Sequence, residues 1–369
     1  MSDLKYWVGF NIVQGVGPVA MKRLLDYFGD LRAAWEAAPL DLARAGLDRR
    51  ALTALSAARA RLDLDAEMEK IDRLGVRVLT WQSAEYPQRL RDIDASPPVL
   101  YIKGTLQPQD DWAVAIVGTR RASAYGREVT RQFAADLARS GVTIVSGLAR
   151  GIDGQAHQAA LDAGGRTLAV MGCGVDIIYP AEHRRLAERI IEQGALISDY
   201  ALGVKPEARN FPPRNRIISG LSLATLVVEA DMRSGAMITA VYAAEQGREV
   251  LAVPGSLLNR NSDLPHSLIR DGAKLVRHAQ DVLEELNLTQ ISQQAEARAV
   301  LPHNAEESLL LDFLSHEPRH VDEISRSVNW PIERVTSALT LMELKGLVRQ
   351  VGGMRYAVVR EAPPRYRID

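Results

Sequence analysis

Hydrophobic positions along this chain follow three regimes. Over residues 1–65 they recur with helical spacing between Gly-containing turns, as in NIVQGVGPVAMKRLLDYFGD (11–30) and LDRRALTALSAARARL (47–62). From 66 to about 286, short unbroken Val/Ile/Leu runs alternate with Ala-rich amphipathic stretches such as TRQFAADLARSG. The runs are VRVLTW, VLYIKG, VAIVG, VTIVSG, TLAVMG, ALIS, ATLVVEA and EVLAVPG, and each predicts a strand. Continuous apolar strands separated by helices predict an α/β domain, a doubly wound parallel sheet covered on both faces. Residues 287–305 are polar and weakly patterned, as a linker would be. Beyond them, 306–369 carry three helical patterns, the third closed by Leu341, Leu344 and Leu347. The run VRQVGGMRYAVV then predicts a hairpin turning at Gly352-Gly353, which completes a winged helix-turn-helix outline.

Composition narrows the class. The chain has 369 residues, 47% hydrophobic and 25% charged, as expected of a globular protein of two or three domains. No apolar run approaches the roughly 20 residues of a membrane span. The opening MSDLKYWVGF lacks the basic and apolar regions of a signal peptide, so a cytoplasmic protein is expected. A single cysteine forms no internal disulfide, and no Cys/His cluster has metal-ligand spacing; no metal or cofactor is expected. The net charge of −1 is modest for a nucleic-acid binder, so the placement of charge has to decide.

Ligands of a doubly wound sheet bind at the carboxyl ends of its strands, and the unusual residues of this chain gather there. After VAIV come Gly118, Thr119, Arg120 and Arg121. After VTIV come Ser146, Gly147, Arg150, Gly151 and Asp153, and after ATLVVEA come Ser234 and Gly235. Gly-containing turns at helix starts offer N–H groups and a positive dipole end to anions. Neither G-x-G-x-x-G nor G-x-x-x-x-G-K-[ST] is present, which argues against a dinucleotide cofactor and a P-loop. Arginine forks phosphate oxygens, and two beside a glycine turn suit a polyanion crossing several strand ends.

KPEARNFPPRNRIISG (205–220) sets Lys205, Arg209, Arg214 and Arg216 against Glu207 alone, with Asn210, Phe211 and Asn215 among them. Read as a loop stiffened by a Pro pair, this mixture can grip phosphates while a base stacks or hydrogen-bonds. An ordinary solvated charged loop is the competing reading.

VGTRRASAYG, VSGLARGIDGQAH, GCGVDIIYP, NFPPRNRIISGLS, RSGAMITA and IRDGAKLV together resemble the DNA-processing protein A family (DprA/Smf), in unbroken order over 66–286. The resemblance implies a non-catalytic single-stranded DNA-binding recombination mediator that protects incoming strands and helps load RecA during natural transformation. It implies an extended Rossmann-like domain at 66–286, with a SAM-like or helix-hairpin-helix-like domain at 1–65 and the winged helix as appendages. DNA contacts would fall on Gly118, Thr119, Arg120, Arg121, Ser146, Gly147, Arg150, Gly151, Asn210, Phe211, Arg214, Asn215, Arg216, Ser234, Gly235 and Lys274. A homodimer would form through His266, Ile269 and Leu275, with RecA and single-strand-binding protein as further partners. Many relatives carry Gly-Cys where this chain has Leu264-Pro265, so the geometry there needs inspection.

Several residues invite other chemistry. Asp153 and His157 suggest half a triad, but no G-x-S-x-G turn accompanies them, and a capping Asp with a structural His is the plainer reading. Cys173 reads as a small buried filler rather than a reactive thiol, and Glu229 with Asp231 as structural acids rather than an acid–base pair. The turn Gly15-Val16-Gly17-Pro18 suits a DNA backbone or plain packing, with Lys22 and Arg23 as the charge nearby. In the C-terminal domain Arg334 and Lys345 are balanced by Glu333 and Glu343, a poor major-groove surface. Arg349, Arg355 and Arg360 leave room for an auxiliary phosphate contact. The functional alternative is a nucleotide-processing hydrolase or transferase in the same crevice, since the fold alone serves both.

Overall fold

The computed structural model describes residues 3–288 and, further on, 309–311, 313–314, 318–344, 348–351 and 353–358. The chain divides into two compact units, Met1–Leu288 and Thr289–Asp369. The expected linker lies outside the described residues from 289 onward.

Six helices open the first unit: α1 (Leu4–Ile12), α2 (Pro18–Phe28), α3 (Leu31–Glu36), α4 (Pro39–Arg44), α5 (Arg49–Arg61) and α6 (Leu64–Arg73). Three start on an aspartate whose carboxylate accepts backbone N–H groups of the first turn: Asp30 for α3, Asp48 for α5 and Asp63 for α6. Helix α6 runs across the expected 65/66 boundary without a break.

Nine strands follow: β1 (Arg77–Thr80), β2 (Val99–Gly104), β3 (Ala113–Val117), β4 (Thr143–Ser146), β5 (Thr167–Val170), β6 (Gly194–Ser198), β7 (Ala224–Val227), β8 (Glu249–Ala252) and β9 (Lys274–Leu275). Their order is β1-β2-β6-β5-β4-β3-β7-β8-β9. All eight apolar runs form strands. The stretch from β6 to β9 is parallel, whereas β2 pairs antiparallel with both β1 and β6. Strand β9 had no signal of its own, because two exposed residues carry no period; pairing with Leu251 and Ala252 makes it a strand.

Alternation along the strands sorts their side chains into two cores. Val99, Tyr101, Ala169, Met171 and Leu196 pack with the N-terminal helices, sharing one cluster with Trp7, Phe10, Met21 and Leu24. Leu100, Ile102, Leu168, Val170, Ala195 and Ile197 belong to the other cluster. There they meet α7 (Gln88–Arg91), α11 (Phe211–Gly220), α12 (Gly235–Glu245) and α13 (Asp263–Arg270). Between these elements run α8 (Ala124–Arg139), α9 (Ile152–Asp162) and α10 (Arg184–Gln193), and α14 (Ala279–Glu285) closes the unit. The helical region is fastened to the sheet by polar bonds as well: Asn11 donates to the Asp199 carbonyl at 3.1 Å and accepts from the Tyr101 hydroxyl at 3.0 Å.

Two local readings change. The segment read as a basic loop is a short 3-10 turn at Ala208–Asn210 followed by α11. Pro212 and Pro213 occupy its first turn, where a missing N–H costs little. At the family departure, Leu264 is fully buried and its N–H donates to the Ala230 carbonyl, with Pro265 also buried in the first turn of α13. The chain's own apolar pair fills that corner.

In the second unit, α15 (Val321–Val328) and α16 (Ile332–Leu344) pack with strands β10 (Arg319–His320), β11 (Val348–Gln350) and β12 (Arg355–Val358), ordered β10-β12-β11. This is a winged-helix arrangement. Val335, Leu339 and Met342 form the buried face of α16, and Leu341, near the end of the third helical pattern, is 56% exposed. Lys345, Leu347 and Arg360, and the side chains of Leu344 and Arg349, lie outside the described residues.

Candidate nucleic-acid interface

The sheet order creates the site. From β3 the chain proceeds through β4, β5 and β6 on one side, then crosses to lay β7, β8 and β9 on the other. The carboxyl ends of β3 and β7 therefore flank a topological switch point, where connections diverge and leave a crevice. A cavity of about 610 Å³ opens there. It is lined by the 118–121 turn, by Asp231 and Arg233–Ala236, and by Tyr179, Phe211, Arg214 and Asn215.

The 118–121 turn is held from below. Thr119 N–H donates to the Glu229 carbonyl, and the Thr119 carbonyl accepts from Ile152 N–H. A Cβ on Gly118 would lie 2.6 Å from both the Glu229 carbonyl oxygen and Ile152, so only glycine lets the turn seat. Gly151, at φ +76, lies against the Thr119–Arg120 peptide, where a side chain would collide with backbone. The buried Glu229 carboxylate accepts from Ser123 N–H at 2.9 Å, Ser123 Oγ at 2.6 Å and Asn259 Nδ2 at 3.2 Å. Glu229 thus ties together the ends of β3, β7 and β8, the structural role expected of it. Asp231 is exposed and accepts from Arg233 N–H, which shapes the next turn.

On this frame stand Arg120, Arg121 and Arg233, all exposed. Among the described residues no carboxylate lies within ion-pair range of them, whereas Arg150 pairs with Glu182, Arg209 with Glu207 and Arg216 with Asp199. Three uncompensated guanidiniums around one crevice form an anion site. Beside them is an aromatic surface. The Phe211 ring lies 5.7 Å from that of Tyr179 and carries the Arg120 guanidinium at 5.7 Å on its face. Tyr179 and Arg233 were not singled out from the sequence. Tyr179 belongs to the GCGVDIIYP motif but shows no charge or glycine signal, and Arg233 stands next to the noted Ser234.

Other expected contacts are placed differently. Ser146 is fully buried and donates to the Ile116 carbonyl at 2.6 Å. Gly147 lies under the Arg214 guanidinium, with its N–H donated to Asp153 at 3.1 Å. Arg214 is 4% exposed and donates from Nη1 to the carbonyls of Gly147 and Val170. Burial lowers its pKa, with Asp153 opposing. Asn210 is buried, its amide donating to the carbonyls of Gly172 and Lys205, and Asn215 donates to the Gly235 carbonyl at 3.2 Å. Arg216 is bound to Asp199 at 2.7 Å and does not line the cavity. Ser234 caps α12, its hydroxyl accepting from Ala236 N–H, and Gly235 opens that helix at the cavity wall. Lys274 sits on β9, away from the cavity, paired with Glu285 at 3.1 Å. His266 and Ile269 are half-buried, with His266 Nε2 turned toward the Gly255 backbone, and Leu275 is exposed on the edge strand.

The residues that suggested other chemistry are engaged in the fold. Asp153 accepts from Gly147 N–H and Ala149 N–H, and burial raises its pKa against the pull of Arg214. His157 is fully buried against Thr167 Oγ1 at 2.6 Å, and burial lowers its pKa to about 3. Cys173 is buried, and desolvation raises its thiol pKa to about 11, far from a reactive thiolate. Among the described residues no group of three or more His, Cys, Asp or Glu is set to hold a metal ion.

Known proteins resemble this chain in sequence and fold. Residues 77–287 match the family model for DNA recombination-mediator protein A, and residues 294–354 match the DprA winged helix domain. The Smf protein of Synechocystis is 36% identical over 392 residues, covering 96% of this chain and 98% of its own. The X-ray structure of DNA processing protein A from Streptococcus pneumoniae superposes with a TM-score of 0.68 at 37% identity, over 76% of this chain and 97% of that one. DNA processing protein A from Helicobacter pylori, whose structure is described for its single-stranded DNA binding mode, superposes with a TM-score of 0.52 at 29% identity, over 57% and 95%. The chain belongs to the DNA recombination-mediator protein A family.

Proposed function

We propose that this protein binds single-stranded DNA along the strand-end crevice, as a non-catalytic recombination mediator. The observation that carries this reading is the set of exposed, unpaired Arg120, Arg121 and Arg233 beside the Phe211–Tyr179 surface. Guanidiniums hold the phosphates, and an aromatic face accepts an unpaired base of any sequence. The Helicobacter relative, described by its single-stranded DNA binding, lends support. A duplex keeps its bases stacked inside and cannot use that face.

Protection of incoming strands and help in loading RecA during natural transformation complete the proposal, with single-strand-binding protein as a further partner and the cytoplasm as the setting. These rest on the family resemblance; no described helix is long and apolar enough to cross a membrane. A homodimer would use the β9 edge and α13, through His266, Ile269 and Leu275. Strand β9 ends the sheet, so its outer backbone groups are open to a partner. Two joined subunits would lengthen the contacted strand and add avidity.

The test is fluorescence anisotropy with labelled oligo-dT and a matched duplex across a salt series. Tight, salt-sensitive binding of the single strand, weaker binding of the duplex and collapse in Arg120→Ala are expected. Equal affinity for both DNA forms, or an unaffected Arg120→Ala, would overturn the reading in favour of a small nucleotide ligand or a duplex-binding winged helix.

A further inference from the structure

The loop after β8 carries the two most exposed large apolar side chains described in this protein. Leu257 is 88% exposed and Leu258 is 98% exposed. Isolated exposed leucines are ordinary, but this adjacent pair is held on an ordered turn. Ser256 Oγ accepts from Leu258 N–H at 3.2 Å, the Ser256 carbonyl accepts from Asn259 N–H at 3.0 Å, and the Asn259 carbonyl accepts from Ser262 N–H at 2.8 Å. Such a turn presents the pair outward and gives it no packing in return.

The turn is tied to the crevice. Asn259 donates to the Glu229 carboxylate at 3.2 Å, and Asn261 donates to the Arg121 carbonyl at 3.5 Å. The Asn261 carbonyl accepts from Ala230 N–H at 2.7 Å. Tyr125, 48% exposed at the start of α8, donates its hydroxyl to the Pro254 carbonyl at 2.7 Å, which brings an aromatic ring to the base of the same loop. Arg260 follows Asn259 and is exposed, with no carboxylate in ion-pair range among the described residues. The loop that carries Leu257, Leu258 and Arg260 is thus bonded at its base to Tyr125 and at its far end to the Arg121 backbone, so apolar and basic side chains share one element next to the 118–121 turn.

We propose that Leu257 and Leu258, with Tyr125, form a second nucleobase platform, so that a bound single strand passes from the Phe211–Tyr179 surface across Arg120 and Arg121 to the loop after β8. This rests on the strand-binding reading and extends it by giving the strand a path. Flexible single strands present apolar base faces between charged phosphates, and leucines flanked by unpaired arginines match that spacing of chemistry. The other possible occupant is a second copy of this chain, since His266 of the proposed dimer face contacts the Gly255 backbone at the base of this loop, and the unpaired Arg121 and Arg260 favour the polyanion.

The test compares wild type with the double variant Leu257→Ser, Leu258→Ser, using oligo-dT and an abasic oligonucleotide of the same length. Both side chains are exposed, so the thermal midpoint should not move. Affinity for oligo-dT is expected to fall by about fivefold to thirtyfold, the scale of a lost base contact. Affinity for the abasic strand and the slope of affinity against salt should stay unchanged, because the phosphate contacts remain. An equal loss on both strands, or no loss on either, overturns the platform while wild-type binding of oligo-dT leaves the strand reading standing. Conversion of a wild-type dimer to monomer in sedimentation would assign the leucines to a second copy and overturn it too. Failure of wild type to bind oligo-dT overturns both readings.

Discussion

The 118–121 turn and the 205–216 segment are both rich in arginine, yet the fold uses them differently. Arg120 and Arg121 project into the crevice unpaired. In the second segment Arg209 is held by Glu207, Arg216 by Asp199, and Arg214 is buried against Gly147, to whose carbonyl it donates. The richer basic segment therefore builds the wall, and the shorter turn supplies the free charge. Density of positive residues measures how much charge is present; partners decide how much of it reaches a ligand.

The contrast breaks most sharply at Arg214. Arg214→Met removes a buried guanidinium from the carbonyls of Gly147 and Val170 and leaves Asp153 without its charge, so a loss of about 3 kcal/mol or more is expected in urea unfolding. Lost DNA binding with unchanged stability would instead make Arg214 a contact like Arg120. The double variant Arg120→Ala, Arg121→Ala should weaken oligo-dT binding about a hundredfold and lower the salt slope by about 1.4, the share of two single-strand phosphates. Arg209→Ala should stay within about threefold of wild type, because an exposed pair with Glu207 contributes little; a comparable drop would erase the distinction.

Arg150 tests the boundary between the two groups. It is exposed near the crevice but bound to Glu182, whose carboxyl the hydrogen bond from Arg150 holds down to about 2, so the pair stays ionised at ordinary pH. Glu182→Gln frees the guanidinium, and binding at low salt should tighten by about twofold to fivefold if Arg150 reaches the strand. No change would leave Arg150 among the structural arginines. The last test concerns the buried frame alone. The His157 imidazole takes a proton near 6.5 when unfolded and near 3 when folded, so between these values the unfolded chain binds more protons. Stability should therefore fall as pH drops below 6.5, by up to about 1.4 kcal/mol per pH unit, and His157→Gln should flatten that slope.

Much of this was legible before any coordinates. Eight strands were readable because unbroken runs of Val, Ile and Leu have few other stable uses, and the phosphate-type turn at Gly118 because glycine before arginines stands at a strand end. Other features were not. The pairing that occupies Arg216 spans 17 positions, that of Arg150 spans 32, and the Glu229 carboxylate that seats the 118–123 turn reaches Ser123 across 106. Ser146 reads as a ligand contact because small polar residues at strand ends often are, and Asn210 because it stands among the basic residues of 205–220, but Ser146 gives its hydroxyl to the Ile116 carbonyl and Asn210 its amide to the carbonyls of Gly172 and Lys205. The 211–220 helix was read as a loop because its two prolines mask a helix start.

Sequence alone determined the α/β class, the family and the end of the sheet at which a polyanion is expected to bind, since these follow from local periodicity and from motifs contiguous in the chain. Tertiary structure alone decided which arginines are free, which face carries the aromatic pair, and that the loop bearing Leu257 and Leu258 is bonded to the Arg121 backbone through Asn261. Charge compensation and burial depend on distances between residues far apart in sequence, and the crossover from β6 to β7, which sets β7 beside β3, fixes those distances.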